Sequence, residues 1–465
     1  FCTLLARMQS RESRVSRILR DARAAVHSTR PETPREARNV RPSTALRLEP
    51  LPPLTGGGDL ESLCAGLRSA DDVHIYDAAD TLARLVAKGQ VELASLRTAG
   101  AIDATVRGLD TAAASATVGA VLILIRELLA ADATLVHSFY SSGLLLSLKN
   151  VMHTKGELSG SVAGACCTAL KLMSDEYAHA FSKFELPRLL TSVASDNIEN
   201  AVVAFMVVGA LSKIAGCDGV GVSGDDTVSL LVTLLERYDR EAYIRSRGLY
   251  ALAVAASEER VALFIVRKFG EFPSKVLTRL GDDGDSFGIR RHALQFLLTM
   301  SAVERSGVSL ARNFNALIDC VDSIPVCSED MTTAMAVASN LAFYDTWDCA
   351  NAPAFCHLAG AALFEGTVDT AVEATRALGN VTRRVLGQRA CVDGRLDEIL
   401  VALIGHPDPR VQYNAVGCLI NLASDESWRT GSTADEARQT LGRESVDADG
   451  EMAEALHALE SNLAL

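Results

Sequence analysis

The sequence predicts an all-α protein, a right-handed α-solenoid of about nine to ten helical repeats that follows an extended basic N-terminal arm. Three observations carry this reading. An apolar triplet recurs nine times at a nearly constant interval, the prolines avoid the triplets, and aromatics make up only 5% of the chain, which leaves small aliphatic side chains to do the packing.

The triplets are Ala78-Leu82-Leu85, Val121-Ile125-Leu128, Ala165-Ala169-Leu172, Val207-Leu211-Ile214, Gly248-Leu252-Ala255, Ala293-Leu297-Met300, Ala334-Ala338-Leu341, Ala374-Leu378-Val381 and Ala415-Leu419-Leu422. Spacing of i, i+4 and i+7 places all three members on one helix face. Their third members follow one another at 40 to 45 residues, inside the range of about 40 to 47 typical of HEAT and armadillo units. Each copy opens on Ala, Val or Gly, which permits close helix approach, and continues with aliphatics that fill the gap. One such unit cannot bury its own apolar face, so stability comes from contact with neighbouring repeats.

Six of the twelve prolines lie in residues 31–53, and the rest, Pro187, Pro273, Pro325, Pro353, Pro407 and Pro409, fall between triplets. Proline inside a helix would remove a hydrogen bond and cost about 3 kcal/mol. Residues 396–404 read as a helix stopped at Gly405, after which Asp408 caps and Pro409 opens the next one. Asp196 with Glu199, and Thr370 with Glu373, have the spacing of capping boxes.

Charge divides the chain. Residues 1–58 carry eleven Arg against five acids, a surplus of +6, and the remaining 34 bases against 53 acids leave -19. An acidic body with few aromatics argues against wrapping nucleic acid. Within the arm, Leu4, Met8, Val15, Ile18, Leu19, Ala22 and Val26 recur among Arg at near-helical spacing, a pattern shared by a retained basic helix and a mitochondrial presequence. Residues 29–58 are rich in Pro and Gly and read as extended chain, so the repeat domain is assigned to 59–465. Eleven Cys without a C-x-x-C pair read as reduced thiols of an intracellular protein. The longest uncharged apolar run, 201–211, is shorter than the roughly 20 residues of a membrane span.

Motifs for chemistry are weak. Gly219, Gly221 and Gly224 match G-x-G-x-x-G, but a helical pattern precedes them where the nucleotide fingerprint needs a strand, and Asp225 and Asp226 would repel phosphate. The acidic run 281–286 lacks the ligand ladder of a calcium loop. Cys349, Cys356 and His357 have poor zinc spacing, and no Ser, Cys or acid stands beside a His in a nucleophile motif. The expectation is a protein without catalytic residues, metal or cofactor.

The strings ATRALGNVTRR (374–384) and HPDPRVQYNAVGCLINLASDESWR (406–429) resemble two consecutive repeats of the armadillo family, with Asn380 and Asn421 where that family carries Asn in its third helix. With the closing EMAEALHALESNLAL, these repeats are similar to a ciliary branch of the family linked to radial spokes; the likeness is specific over about the last 90 residues and generic before them. It implies a scaffold of the cilium or flagellum axoneme with spoke subunits as partners, and third helices that line a concave groove.

On that analogy the residue before each third core position reports on the groove: Arg84, Glu127, Lys171, Lys213, Val254, Thr299, Asn340, Asn380 and Asn421. The Asn amides can grip the backbone of an extended partner or satisfy groups between helices. Importin-like members pair each Asn with a Trp one turn earlier, where this chain has Ala336, Arg376 and Gly417, so a nuclear-import role does not follow. Trp347 and Trp428 stand just past third helices and read as packing residues at repeat junctions. Arg376, Arg383, Arg384, Arg389 and Arg395 form a basic cluster suited to carboxylate-rich partners, or a solvated charged face. The basic arm can order on an acidic surface such as tubulin or a spoke protein. Alternatives are an accessory subunit of a mitochondrial complex and a cytosolic cargo adaptor.

Overall fold

The computed structural model describes residues 57–154, 160–217, 219–281, 288–444 and 450–464; the arm up to residue 56 and the acidic residues 282–286 lie outside them. The described residues form helices and turns with no strand. Each of the nine triplets falls in one long helix: α1 (Asp72–Ala87), α2 (Ser115–Ala131), α3 (Gly160–Phe181), α4 (Ala201–Cys217), α5 (Ala242–Ala256), α6 (Ile289–Ala302), α7 (Glu329–Phe343), α8 (Val368–Val381) and α9 (Pro409–Leu422). Shorter helices fill the intervals, as in the pair Val385–Asp393 and Leu396–Ala402 between α8 and α9.

The triplets are the core. Every member is buried except Leu172, which is half-buried, while Met173 is fully buried in line with Cys166 and Leu170. At the end of its stripe α3 therefore seats Met173 in the place its spacing gives to Leu172, and two adjacent apolar stripes of this helix are buried. Burying one such Leu or Met stabilises by about 1.5–3 kcal/mol. The glycine that opens the α5 triplet is explained by contact: a Cβ on Gly248 would stand 2.9 Å from Leu235 Cδ2.

Helix ends follow local chemistry. Pro187, Pro273, Pro353 and Pro409 all sit in the first turn of a helix, where no N–H partner is lost. Asp408 accepts from Arg410 N–H at 2.8 Å, the cap expected of it. The two capping boxes differ from expectation. Helix α8 begins three residues earlier, capped by Thr367, whose hydroxyl accepts from Thr370 N–H at 3.2 Å. Asp196 ends a helix, and Asn200 instead caps α4 by accepting from Val202 N–H at 3.0 Å.

The chain divides into two units between Ala255 and Ala256. In the first, side chains tie residues one repeat apart: the Asp72 carboxylate accepts from the N–H groups of Ala113 and Ala114 at 2.9 and 3.0 Å, and Asn200 Nδ2 donates to Gly160 O at 3.0 Å. Helix α3 departs from helical geometry at Tyr177, whose ring stacks 3.9 Å from Tyr140 and whose hydroxyl meets His137 Nδ1. In the second unit, Arg291 pairs with Asp330 at 3.1 Å, the hydroxyls of Thr332 and Thr370 lie 2.7 Å apart, and Asn414 Nδ2 donates to Val372 O at 3.1 Å. These bonds span 38 to 42 residues, so the period of the sequence is also the period of the polar ties.

Candidate partner-binding surface

In the second unit, the Asn residues near the ends of α7, α8 and α9 each reach back one repeat. Asn380 Nδ2 donates to Ser339 O at 2.8 Å, and Asn421 Nδ2 donates to Gly379 O at 2.8 Å and to Thr382 Oγ1 at 3.2 Å. A helix leaves its last carbonyls without intrahelical partners, and Asn421 binds one of them, Gly379 O, near the end of α8. Asn380 and Asn421 both remain half-buried. Asn340 differs: it is 2% exposed, its Nδ2 donates to Ser301 Oγ at 3.0 Å, and its Oδ1 finds no hydrogen-bond partner among the described residues. Buried to that degree, Asn340 joins helices and offers no surface for a groove contact.

The arginines interlock with the same helices. Arg376 donates from Nε to Ser339 Oγ at 2.8 Å and pairs with Glu373 at 2.6 Å, so Arg376 and Asn380 converge on one serine. The Arg383 guanidinium lies 5.3 Å from the centroid of the Phe343 ring. Arg384 pairs with Asp345 at 2.6 Å, contacts Cys349 Sγ at 3.3 Å and covers the Trp347 ring at 5.5 Å. Cation–π contacts of this kind hold a guanidinium in place while part of its charge stays available. Arg383 and Arg389 are exposed, whereas Arg395 pairs with Glu398.

Both Trp residues close repeat junctions. Trp347 is buried edge-on to Phe314 with centroids 5.5 Å apart, and Trp428 is buried with Nε1 donating to Asp397 Oδ2 at 3.0 Å.

In the first unit the corresponding helix positions carry charge. Lys171 and Lys213 both pair with Asp175, at 3.0 and 3.3 Å. Tyr243 stacks on Phe205 with centroids 3.9 Å apart, and burial pushes its hydroxyl pKa up. Sequence spacing named the two lysines but not Asp175, whose signal is its i+4 position from Lys171.

Burial pushes the thiols of Cys166 and Cys356 up to about 12 and those of Cys391 and Cys418 up as well, so they remain protonated at neutral pH. Among the described residues, no three His, Cys, Asp or Glu side chains are grouped to hold a metal. Gly219 and Gly221 of the G-x-G-x-x-G string lie in a 3-10 turn, Gly219–Val222, and Gly224 immediately precedes the helix Asp225–Arg237; the element before them is the helix α4, where the fingerprint needs a strand. No described helix is long and apolar enough to cross a membrane.

Long helices that repeat every 40 to 45 residues, buried on one stripe and tied by amides and arginines, define an armadillo-like helical-repeat fold. Solved structures bear this out. The structure of an engineered protein superposes with a TM-score of 0.63 at 20% identity, covering 88% of this chain and 99% of that one. A structure described as a conserved phosphorylation switch controlling the interaction between cadherin and beta-catenin superposes with a TM-score of 0.59 at 14% identity, covering 88% and 95%. No family model and no curated protein matches the chain.

Proposed function

We propose that this protein is a non-enzymatic scaffold or adaptor of the cilium or flagellum, associated with axonemal radial spokes, that holds a protein partner along α8 and α9. The observation that carries the binding role is the surface formed by Arg376, Asn380, Arg383 and Asn421, where amides and guanidiniums are fixed by the preceding repeat yet remain partly exposed. Groups already held in place lose little freedom on binding. The armadillo-like fold supports a protein partner, and the likeness of the last repeats to the ciliary branch supports the location.

Lys171 and Lys213 extend the same role in the first unit, where they would exchange Asp175 for a carboxylate of the partner. The Arg-rich arm adds an acidic protein surface, such as tubulin or a spoke subunit, as its own contact. Imaging a tagged full-length chain in ciliated cells tests the location: signal along the axoneme is expected. Signal in mitochondria would overturn it in favour of an accessory subunit there, the reading supported by the Arg-interleaved apolar residues of 1–28. Deleting residues 1–56 should weaken axonemal retention, and unchanged retention would remove the arm from the account.

A further inference from the structure

The short helix Val385–Asp393 has two apolar faces. One is seated: Gly387, Gln388, Ala390 and Cys391 are buried, and Gln388 Nε2 donates to Asn421 O at 3.0 Å and Ser424 Oγ at 3.1 Å. The seat is tight, because a Cβ on Gly387 would lie 2.1 Å from Val381 O. The opposite face carries Val385 at 58%, Leu386 at 52% and Val392 at 37% exposure, with exposed Arg389 between them. Val385, Arg389 and Val392 share a helical stripe. At its N-terminal end stands Phe343, 40% exposed, under the Arg383 guanidinium.

Single exposed apolar residues are ordinary, but a helix that has buried one face and still shows three aliphatics on the other is not. The charge around this stripe is also distinctive. Of its four arginines Arg384 is paired with Asp345 and Arg395 with Glu398, which leaves Arg383 and Arg389 exposed beside the stripe, in a body whose net charge beyond residue 58 is -19. A complementary partner brings apolar side chains at i, i+3 or i+4, and i+7, flanked by carboxylates.

We infer that the outer face of the helix Val385–Asp393, with Phe343 and Arg383 at its edge, docks an acidic amphipathic helix of another protein. This rests on the scaffold reading and assigns it a second surface, which borders the first at Arg383 and is otherwise built from different residues. Carboxylates suit the planar guanidiniums. An anionic bilayer shares the charge but needs a larger apolar area than one helix of nine residues presents.

The test uses the full-length chain and fluorescence anisotropy with a labelled designed helical peptide, Leu on one face and Glu on the flanks. The same peptide with Glu replaced by Lys, and phosphatidylserine-containing vesicles, form the other arms. The acidic peptide should bind and the other two should not. Val385→Ser with Leu386→Ser, and separately Arg389→Glu, should each weaken it about tenfold or more, with unchanged thermal melting because all three side chains are exposed. Equal affinity in the variants, no binding of the acidic peptide, equal binding of the Lys peptide, or binding to vesicles in place of peptide would each overturn the inference. Failure here is separable from failure of the scaffold reading, which is tested by loss of cellular partners from Arg376→Glu, a change that should leave peptide affinity intact.

Discussion

Two regions hold neighbouring long helices together in different ways. Between α3 and α4 the tie is ionic, two lysines sharing Asp175, whereas from α7 to α9 it is made of side-chain amides that donate to hydroxyl and carbonyl oxygens of the preceding repeat. A partly exposed ion pair is screened by salt, while a neutral amide bonded to a helix carbonyl is not. The difference teaches that the lysines are free to change partners at small cost, whereas each asparagine gives up a hydrogen bond to the preceding repeat when it lets go.

The largest expected effect tests whether the second unit depends on its junctions. Trp428→Ala removes a buried indole and leaves the buried Asp397 carboxylate without its Nε1 donor at 3.0 Å. A loss of about 3–5 kcal/mol is expected in chemical denaturation. A loss below about 1 kcal/mol would show that the junction is not a fixed element of the stack.

The comparison itself is sharpened by a matched pair. Asn421→Ala should cost about 1 kcal/mol, because Gly379 O loses its donor at 2.8 Å and keeps only the Thr382 hydroxyl at 3.4 Å, and the cost should be the same at low and high salt. Lys213→Ala should cost less than about 1 kcal/mol and approach zero near 1 M salt, where the screening length falls to about 3 Å. Equal salt dependence for the two variants in urea titrations would erase the distinction.

A smaller effect is expected at two strained turns. Glu185 (φ 58°) and Arg395 (φ 56°) occupy the left-handed region at positions that enter the helices Leu186–Asp196 and Leu396–Ala402. Glycine adopts this conformation freely, so Glu185→Gly and Arg395→Gly should each stabilise by about 0.5–1 kcal/mol, read as a rise in melting temperature. A fall would show that the Lys149 and Glu398 pairings outweigh backbone strain.

The smallest concerns acid. Hydrogen bonds from the Arg410 side chain and backbone hold the Asp408 carboxyl near a pKa of about 2, below its ordinary value of 3.8. A depressed carboxylate contributes stability that is fully present above its unfolded pKa and lost as pH falls from about 4 through 2. Asp408→Asn should retain the helix cap yet flatten that part of the stability-versus-pH curve.

The repeat was legible because small and aliphatic residues at i, i+4 and i+7 leave an imprint that proline respects. In α3 the triplet is right at Ala165 and Ala169 and off by one at its end, where Met173 takes the core place expected of Leu172 because both are acceptable in a core. The cap of α8 was missed for a similar reason, since Thr367 and Thr370 are chemically alike. That Asn380 and Asn421 satisfy groups between helices is one of the two roles the sequence offers them, but which carbonyls they bind is set one repeat away and carries no local signal. The outward Val385 and Leu386 had a signal, an apolar pair directly after two arginines, but only the burial of Gly387 and Gln388 reveals which face is left over.

The central claim is that the surface of α8 and α9 holds a protein partner. Proximity labelling of the full-length chain in ciliated cells, comparing wild type with Arg376→Glu combined with Asn380→Ala, addresses it most directly. The account predicts a set of axonemal protein neighbours that is lost in the double variant while its helical circular dichroism is retained. An unchanged set of neighbours in the folded variant would contradict it.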